Sequence, residues 1–259
     1  MGKLYQLNVG FGDASIIISD TATFLIDCHG IEDFAYFLPQ NKKIRGVFIT
    51  HQHRDHFSGL RYLKENYYSI DYLICSPYDR RYRDSSVEYD EWAEFNTYVD
   101  YFKKYGSKVY TPCRQDNFNK PWWSPDGIDF WLLGPAYHLA NSDTRELHDA
   151  CLVIHAKIGD RKCLFTGDAS DINLEYVADN TTNICNDILH ASHHGSINGA
   201  SLSFIKKCDA GYTVISTEQG VKENIPHAEA LDRYKKNTKE QVYRTDLNGT
   251  LEWSFNVSK

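Results

Sequence analysis

Long apolar runs are missing from this 259-residue chain. With a mean hydropathy of −0.52 and 24% charged residues, no stretch approaches the length needed to cross a bilayer. A basic excess is missing as well: 28 Lys and Arg against 35 Asp and Glu leave a net charge of −7. That balance excludes a protein whose whole surface grips duplex nucleic acid, because phosphate binding rests on Lys and Arg, and leaves room only for a local basic groove. Cysteine spacing of the CxxC kind is absent. Cys28, Cys75, Cys113, Cys151, Cys163, Cys185 and Cys208 are scattered, mostly within apolar runs, and read as free buried thiols rather than a disulfide framework or a thiolate metal site. The opening MGKLYQLNVG has no secretory h-region, and Gln6 stands where a myristoylation signal needs Ser or Thr, so the expected location is cytoplasmic. No tandem repeat, linker or low-complexity tract divides the chain, and residues 1–259 read as a single domain, long enough to enclose a core and a cleft.

What is present is a succession of short strand-like and helix-like segments. Lys3 to Val9, Ser15 to Ser19 and Thr23 to Ile26 are β-favouring runs separated by Gly10-Phe11-Gly12-Asp13 and Ser19-Asp20, which predicts a meander. Ile31 to Leu38 reads as a helix stopped before Pro39, Ile44 to Thr50 as a buried strand, Ser58 to Asn66 as the next helix, and Tyr72 to Ser76 as a strand. From about 77 to 129 the chain turns rich in Tyr, Trp and charge and reads as an insertion. Within it Val87 to Lys104 carries a helical stripe of Trp92, Phe95, Tyr98, Val99 and Phe102, read as packing against the main body or as a substrate-facing lid. Arg80-Arg81-Tyr82 with Arg83 reads as a basic turn able to meet phosphates. The second half repeats the pattern, with strands at Phe130 to Leu133, Cys151 to Ile158, Lys162 to Thr166, Asp187 to Ala191 and Tyr212 to Ser216. Helices are expected at Ile172 to Ala178, Leu202 to Lys207 and Glu229 to Asn237, and Val242 to Trp253 reads as a hairpin on Asn248-Gly249. Two similar halves of strands and helices predict two sheets packed face to face with helices outside.

Metal-binding residue types collect at the ends of the apolar runs. Thr50-His51-Gln52-His53-Arg54-Asp55-His56 puts three imidazoles and a carboxylate into six residues at a strand-to-helix junction. His51 and His53, two apart, share one side of an extended strand end, and Asp55 and His56 reach back from the next turn. Phe24-Leu25-Ile26-Asp27 and Leu164 to Asp168 end in acids, Ile188 to Gly195 ends in His193-His194, and His148 precedes the strand at Cys151. Singly, a Gly-Asp after a strand is a turn and a lone histidine a hydrogen-bonding residue; together they point to one centre.

The chain resembles the metallo-β-lactamase fold family, specifically the ComEC-type branch that includes the C-terminal domain of bacterial DNA-uptake proteins. The resemblance is carried by Asn8 to Ala14, Leu25-Ile26-Asp27, Thr50 to His56 with Gly59-Leu60, Leu164 to Asp168, His193 to Ser196, Asn224 to His227, and Tyr243 to Asp246 with Gly249-Thr250. It is thinnest from about 77 to 129. It implies an α/β fold, a four-layered αββα sandwich, with two divalent metal ions, Zn2+ or Mn2+, at one edge of the sheets. Carried over by motif, His51, His53 and His148 hold the first ion, Asp55, His56 and His193 the second, and Asp168 bridges them. His194 and His227 face the leaving or phosphate oxygen, Asp55 orients water, and Asp27 and Asp13 fix the ligands and loops from behind.

Imidazole and carboxylate ligands without thiolate suit zinc or manganese, and such a pair activates water for hydrolysis. The leading expectation is a phosphodiesterase or nuclease acting on nucleic acid or nucleotides. The alternatives are a lactam, lactone or thioester hydrolase of the same fold, or a non-catalytic partner subunit, since fold alone does not fix substrate. His53 stands where an iron oxidoreductase of this fold is expected to carry Glu. The DNA-uptake proteins carry the domain behind a membrane channel and this chain has no membrane segment, so DNA uptake is not implied. A separately encoded protein partner, for example in a bacterial defence system, is compatible with the chain but has no residue behind it.

Overall fold

The computed structural model describes residues 2–182, 184 and 187–256. The chain starts with β1 (Gly2–Gln6), β2 (Ala14–Ile18) and β3 (Thr23–Cys28). After a 3-10 segment at Ile31–Phe37 come β4 (Lys43–Ile49), α1 (Arg54–Phe57), α2 (Leu60–Glu65), β5 (Ser69–Cys75), α3 (Tyr89–Lys104) and β6 (Lys108–Tyr110). The second half runs β7 (Ile128–Gly134), α4 (Tyr137–Ala140), β8 (Val153–Ile158), β9 (Arg161–Phe165), α5 (Asp171–Asn180), β10 (Ile188–His190), α6 (Leu202–Cys208), β11 (Tyr212–Ile215), α7 (Ala228–Asn237), β12 (Gln241–Arg244), α8 (Thr245–Asn248) and β13 (Leu251–Phe255). The strands form a seven-stranded sheet in the order β13-β1-β2-β3-β4-β5-β6 and a six-stranded sheet in the order β12-β11-β10-β9-β8-β7.

Both sheets are buried on both faces, which is why their central strands read as unbroken apolar runs. Side chains alternate along each strand. From β3 and β4, Phe24, Ile26 and Phe48 point between the sheets, where they meet Phe130, Ile154 and Phe165 of the second sheet. Leu25, Val47 and Ile49 point the other way, onto Phe57, Leu60 and Leu63 and onto Phe95, Tyr98 and Phe102 of α3. In the second sheet Val153, Leu164, Leu189 and Ile215 face Leu174, Val177, Phe204 and Tyr234 of α5, α6 and α7. The result is the expected αββα order. Each large apolar side chain so enclosed contributes about 1.5–3 kcal/mol. Between the sheets Phe48 and Phe130 lie with ring centroids 4.9 Å apart. A Cβ on Gly46 of β4 would come within 2.8 Å of the Trp123 indole, so the absent side chain is what lets that ring close the sandwich.

Within residues 77–129, α3 lays its aromatic stripe on the first sheet's helical layer, with Phe57 and Phe95 at 5.2 Å, and β6 adds a parallel edge strand beside β5. The packing reading of the stripe is the one observed. The terminal hairpin is not. β12 pairs in parallel with β11 in the second sheet, whereas β13 pairs antiparallel with β1 in the first. Asn248 ends the short helix α8 and its Oδ1 accepts the Arg244 N–H at 3.0 Å, while Gly249 (φ 71) takes the chain across to the other sheet. Asn-Gly thus serves as a helix stop here, where the sequence pattern suggested a strand reversal. The helix expected from Ser58 to Asn66 is α2, Leu60–Glu65, and the separate short helix α1 precedes it from Arg54, inside the histidine cluster. Ile31–Phe37 is 3-10 rather than α, kinked at Phe34. Among the described cysteines none is bridged, while Cys185 lies outside the described residues. Among the described residues no helix is long and apolar enough to cross a membrane.

Candidate metal centre

The parallel strands β3, β4, β9 and β10 all deliver their C-terminal ends to one edge of the sandwich, the crevice where such sheets place ligands. Asp27 closes β3, Thr50 and His51 follow β4, Asp168 follows β9, and His193 and His194 follow β10. Close backbone approaches draw the loops together. A Cβ on Gly59, at the start of α2, would lie 1.8 Å from the Cys28 carbonyl oxygen, so α1 and its Asp55 and His56 can sit against the end of β3 only because residue 59 is Gly. Gly167 (φ +47) is pressed on Thr50, 2.4 Å from a Cβ to Oγ1, which turns Asp168 inward.

Asp168 sits at the middle of the centre and its two oxygens face different groups. Oδ2 lies 3.7 Å from His51 Nε2, 3.9 Å from His148 Nε2 and 3.7 Å from His193 Nε2. Oδ1 lies 3.2 Å from His56 Nε2 and 3.5 Å from His194 Nε2, and His194 Nε2 is 3.6 Å from Asp55 Oδ2. Groups with metal-ligand spacing include His51, His53, His148 and Asp168 on one side and Asp55, His56 and His194 on the other, with Asp13 grouping with Asp168 and His194 and again with Asp27 and His56.

The far nitrogens of these rings fix their tautomers. His56 Nδ1–H donates to Asp27 Oδ2 at 2.8 Å, His194 Nδ1–H to the Ser216 carbonyl at 3.0 Å, and His193 Nδ1–H to the Asn198 carbonyl at 2.9 Å. His53 Nε2–H donates to the Ser86 carbonyl at 3.1 Å, leaving its Nδ1 lone pair 3.1 Å from His51 Nε2. Asp27 (φ 53) is itself held by the Thr50 N–H at 2.8 Å and the Thr50 hydroxyl at 2.7 Å. His56, His193 and His194 so oriented turn Nε2 toward Asp168, and His53 turns Nδ1 toward His51, the arrangement in which a carbonyl or carboxylate behind an imidazole readies it for a cation that displaces any proton held there.

His56 Nε2, His148 Nε2, His194 Nε2 and Asp168 Oδ1 are buried with no hydrogen-bond partner among the described residues. Orphaned acceptors this close together are costly unless a cation completes them, and an imidazole and carboxylate set without thiolate fits zinc or manganese. The electrostatics agree. Burial holds His51 well below the ordinary imidazole range and His148 down to about 3, so both keep free lone pairs. Around the other oxygen, burial opposes charge on His194, but Asp168, Asp13 and Asp55 outweigh it and lift the ring to about 9. Burial would likewise raise Asp168, yet the surrounding imidazoles of His194, His56 and His193 keep it ionised, well below the usual carboxylate range.

The structure places His51, His53, Asp55, His56, His148, Asp168, His193 and His194 in one neighbourhood, and His193, His194 and His227 stand differently from the expected assignment. His194, rather than His193, stands beside Asp55 and His56, while His193 turns to Asp168 Oδ2 and packs on His148 at 4.6 Å. His193 and His194 both adopt left-handed backbone (φ 52 and 54), which throws the two rings to opposite sides. His227 joins neither group: its Nδ1 accepts the Glu229 N–H at 3.2 Å at the start of α7, and its own N–H holds the Gly195 carbonyl at 2.8 Å.

Three further residues of the centre carry no motif that reveals them. Ser86, Asn198 and Ser216 act through main-chain carbonyls, which any residue type supplies. Phe11 covers His194 at 4.4 Å and is covered in turn by Lys222 Nζ at 4.4 Å. Asp13 stands behind both imidazoles of the second group, 3.7 Å from His56 Nδ1 and 3.6 Å from His194 Nδ1.

The family profile described as Metallo-beta-lactamase superfamily matches residues 7–216, most of the chain and, of the residues just described, all but Lys222, His227 and Glu229. Solved structures share the fold at low identity. The metallo-beta-lactamase fold protein YhfI from Bacillus subtilis aligns at TM-score 0.61 and 12% identity, over 98% of this chain and 100% of that one. Igni18, a novel metallo hydrolase from the hyperthermophilic archaeon Ignicoccus hospitalis, aligns at 0.59 and 14% over the same shares. A diphosphatase from the PhnP family aligns at 0.52 and 14%, over 98% of each chain. No curated protein matches the sequence. The chain belongs to the metallo-β-lactamase superfamily, whose members are mostly metal-dependent hydrolases.

Proposed function

We propose that this chain is a two-metal phosphodiesterase that cleaves nucleic acid or nucleotides, of the ComEC-type branch it resembles. The observation that carries the reading is the bridging position of Asp168, one oxygen toward each cluster, beside an open cavity of about 610 Å3 bordered by His148 and by Arg81, Arg83 and Arg145. The wall sets three arginines against three acids, Asp84, Asp143 and Glu146, and of the arginines Arg83 alone makes no ion pair or hydrogen bond among the described residues; an uncommitted guanidinium suits a phosphate-bearing substrate better than a neutral lactam or thioester.

In this reading His51, His53, His148 and Asp168 would hold one ion, and Asp55, His56, His194 and Asp168 the other. When bound, such a pair supplies activated water and neutralises charge on a phosphoryl oxygen. The chain's own residues do the positioning. Asp27 keeps the His56 proton on Nδ1, and Asp55, held ionised by His194 and His56 against its burial, is an acceptor for a water proton. His193, with its Nδ1–H committed to Asn198, points Nε2 toward the cavity side of Asp168, where it can meet substrate oxygen.

The test is a substrate panel of single- and double-stranded DNA, RNA, cyclic dinucleotides, bis(p-nitrophenyl) phosphate and a lactam, run with zinc and with manganese. Cleavage of phosphodiesters is expected. Turnover of the lactam alone would assign the chain to the other hydrolase class, and two bound metals without turnover of any substrate would favour a non-catalytic subunit.

A further inference from the structure

The cavity beside His148 is walled by two segments laced to each other. Arg81 donates to the carbonyls of Asn141 and Ser142, each at 3.1 Å, and pairs with Asp143 at 3.1 Å. Arg145, buried, donates to the Asp79 carbonyl and stacks over the Tyr78 ring at 5.0 Å. Asp84 accepts the Tyr78 hydroxyl at 2.6 Å and the Ser86 hydroxyl at 2.7 Å, and Glu146 is engaged in a capping box with Asp149. Every acid of this wall and two of its three arginines therefore already have partners.

Arg83 is the exception. Its guanidinium makes no ion pair or hydrogen bond among the described residues and rests only against its neighbour's ring, 5.4 Å from the Tyr82 centroid. Tyr82 in turn is 88% exposed. The Arg83 backbone is left-handed (φ 67), a conformation that costs a non-glycine residue of order 1 kcal/mol or more and is tolerated where a side chain must be presented. An uncommitted cation and an open ring, side by side at the lip of a cavity that ends on the metal centre, match the backbone and the base of a single nucleic-acid strand. A small phosphodiester whose single phosphate sits at the metal centre has no second phosphate to offer Arg83.

We infer that Tyr82 and Arg83 form a subsite for the nucleotide next to the scissile linkage, Arg83 on its phosphate and Tyr82 stacked on its base, so that the substrate is single-stranded nucleic acid. This rests on the phosphodiesterase reading for the cleavage step but not for binding. Duplex DNA, whose bases are already stacked, leaves the Tyr82 face unused.

The test compares wild type with Arg83→Ala, Arg83→Lys and Tyr82→Ala, metal-loaded. The probes are a fluorescein-labelled, cleavage-resistant phosphorothioate oligonucleotide followed by anisotropy, the same sequence unmodified, and bis(p-nitrophenyl) phosphate. Arg83→Ala is expected to weaken oligonucleotide binding about 10-fold and to lower the slope of log affinity on log salt by about 0.7, the value for one phosphate on a single strand. Arg83→Lys keeps the slope, and Tyr82→Ala weakens binding about 5-fold or more through lost stacking. Hydrolysis of the oligonucleotide falls through KM, while that of the small diester stays within about twofold, since neither side chain touches the centre. Unchanged anisotropy in both alanine variants, an equal loss on the small diester, or tighter binding of duplex than of single strand would each overturn the assignment. If wild type binds the oligonucleotide through Arg83 but cleaves nothing, the subsite stands and the phosphodiesterase reading falls.

Discussion

The two sides of Asp168 are built in different ways. Oδ2 looks onto His51 and His148, rings kept neutral by burial, and His148 borders a wide cavity. Oδ1 looks onto His56 and His194, backed by Asp27, Asp13 and Asp55 and roofed by Phe11. One side is an accessible face with neutral donors, and the other a closed face rich in negative charge. The contrast predicts unequal duties under the two-metal proposal: the open side would receive the substrate, and the closed side would hold its ion more firmly.

Removing the shared element should erase both sides. Asp168→Ala is expected to lose both ions and at least about 1,000-fold of activity, read by metal analysis and turnover. Retention of two ions would break the comparison at its centre.

His53→Ala and His194→Ala should each cost one ion equivalent and about 100-fold or more in turnover, on opposite sides. His193→Ala should keep both ions and lose about 10-fold, consistent with contact to substrate. Loss of an ion from His193→Ala with full retention in His194→Ala would restore the original sequence assignment and reverse the one given above.

Asp27→Asn leaves its shape but weakens the acceptor behind His56. Metal affinity on the closed side alone should fall about 10–100-fold in a chelator competition. A fall on both sides would mean that Thr50, which shares Asp27, matters more than His56.

The smallest effect on catalysis is expected from a histidine outside the centre. His155 packs against Trp131 at 5.3 Å and burial holds it down to about 4. The folded chain keeps it neutral, and the unfolded chain protonates it below its ordinary value of about 6.5, so in that window the unfolded state binds more protons. Stability is therefore full above about pH 6.5 and declines towards pH 4, by at most about 3 kcal/mol from this residue. His155→Phe should flatten the dependence of Tm on pH in that window without changing turnover. An unaltered slope would contradict the account of its burial.

Much of this was legible before any coordinates, because the alternating burial of double-faced strands leaves apolar runs whose ends mark one edge of the sheets. The contiguous segment from His51 to His56 needed only strand and turn geometry to be read as a centre, and Asp27 and Asp168 followed from their position after such runs. The choice between His193 and His194 could not be read, since it depends on two successive left-handed residues that no residue-type pattern announces. The final strands were misjudged because Asn-Gly stops a helix as readily as it turns a hairpin. The carbonyls of Ser86, Asn198 and Ser216 leave no trace in composition. Arg81 and Arg83 of the cavity wall were visible as a basic turn and Arg145 was not, and which of the three is unengaged emerged only from their partners.

The most direct test is anomalous diffraction from crystals loaded with zinc or manganese, recorded at the metal edge. Two peaks roughly 3.5–4 Å apart are predicted, one on each oxygen of Asp168, with His51, His53 and His148 around one and Asp55, His56 and His194 around the other. A single peak, or peaks that leave Asp168 untouched, would contradict the account.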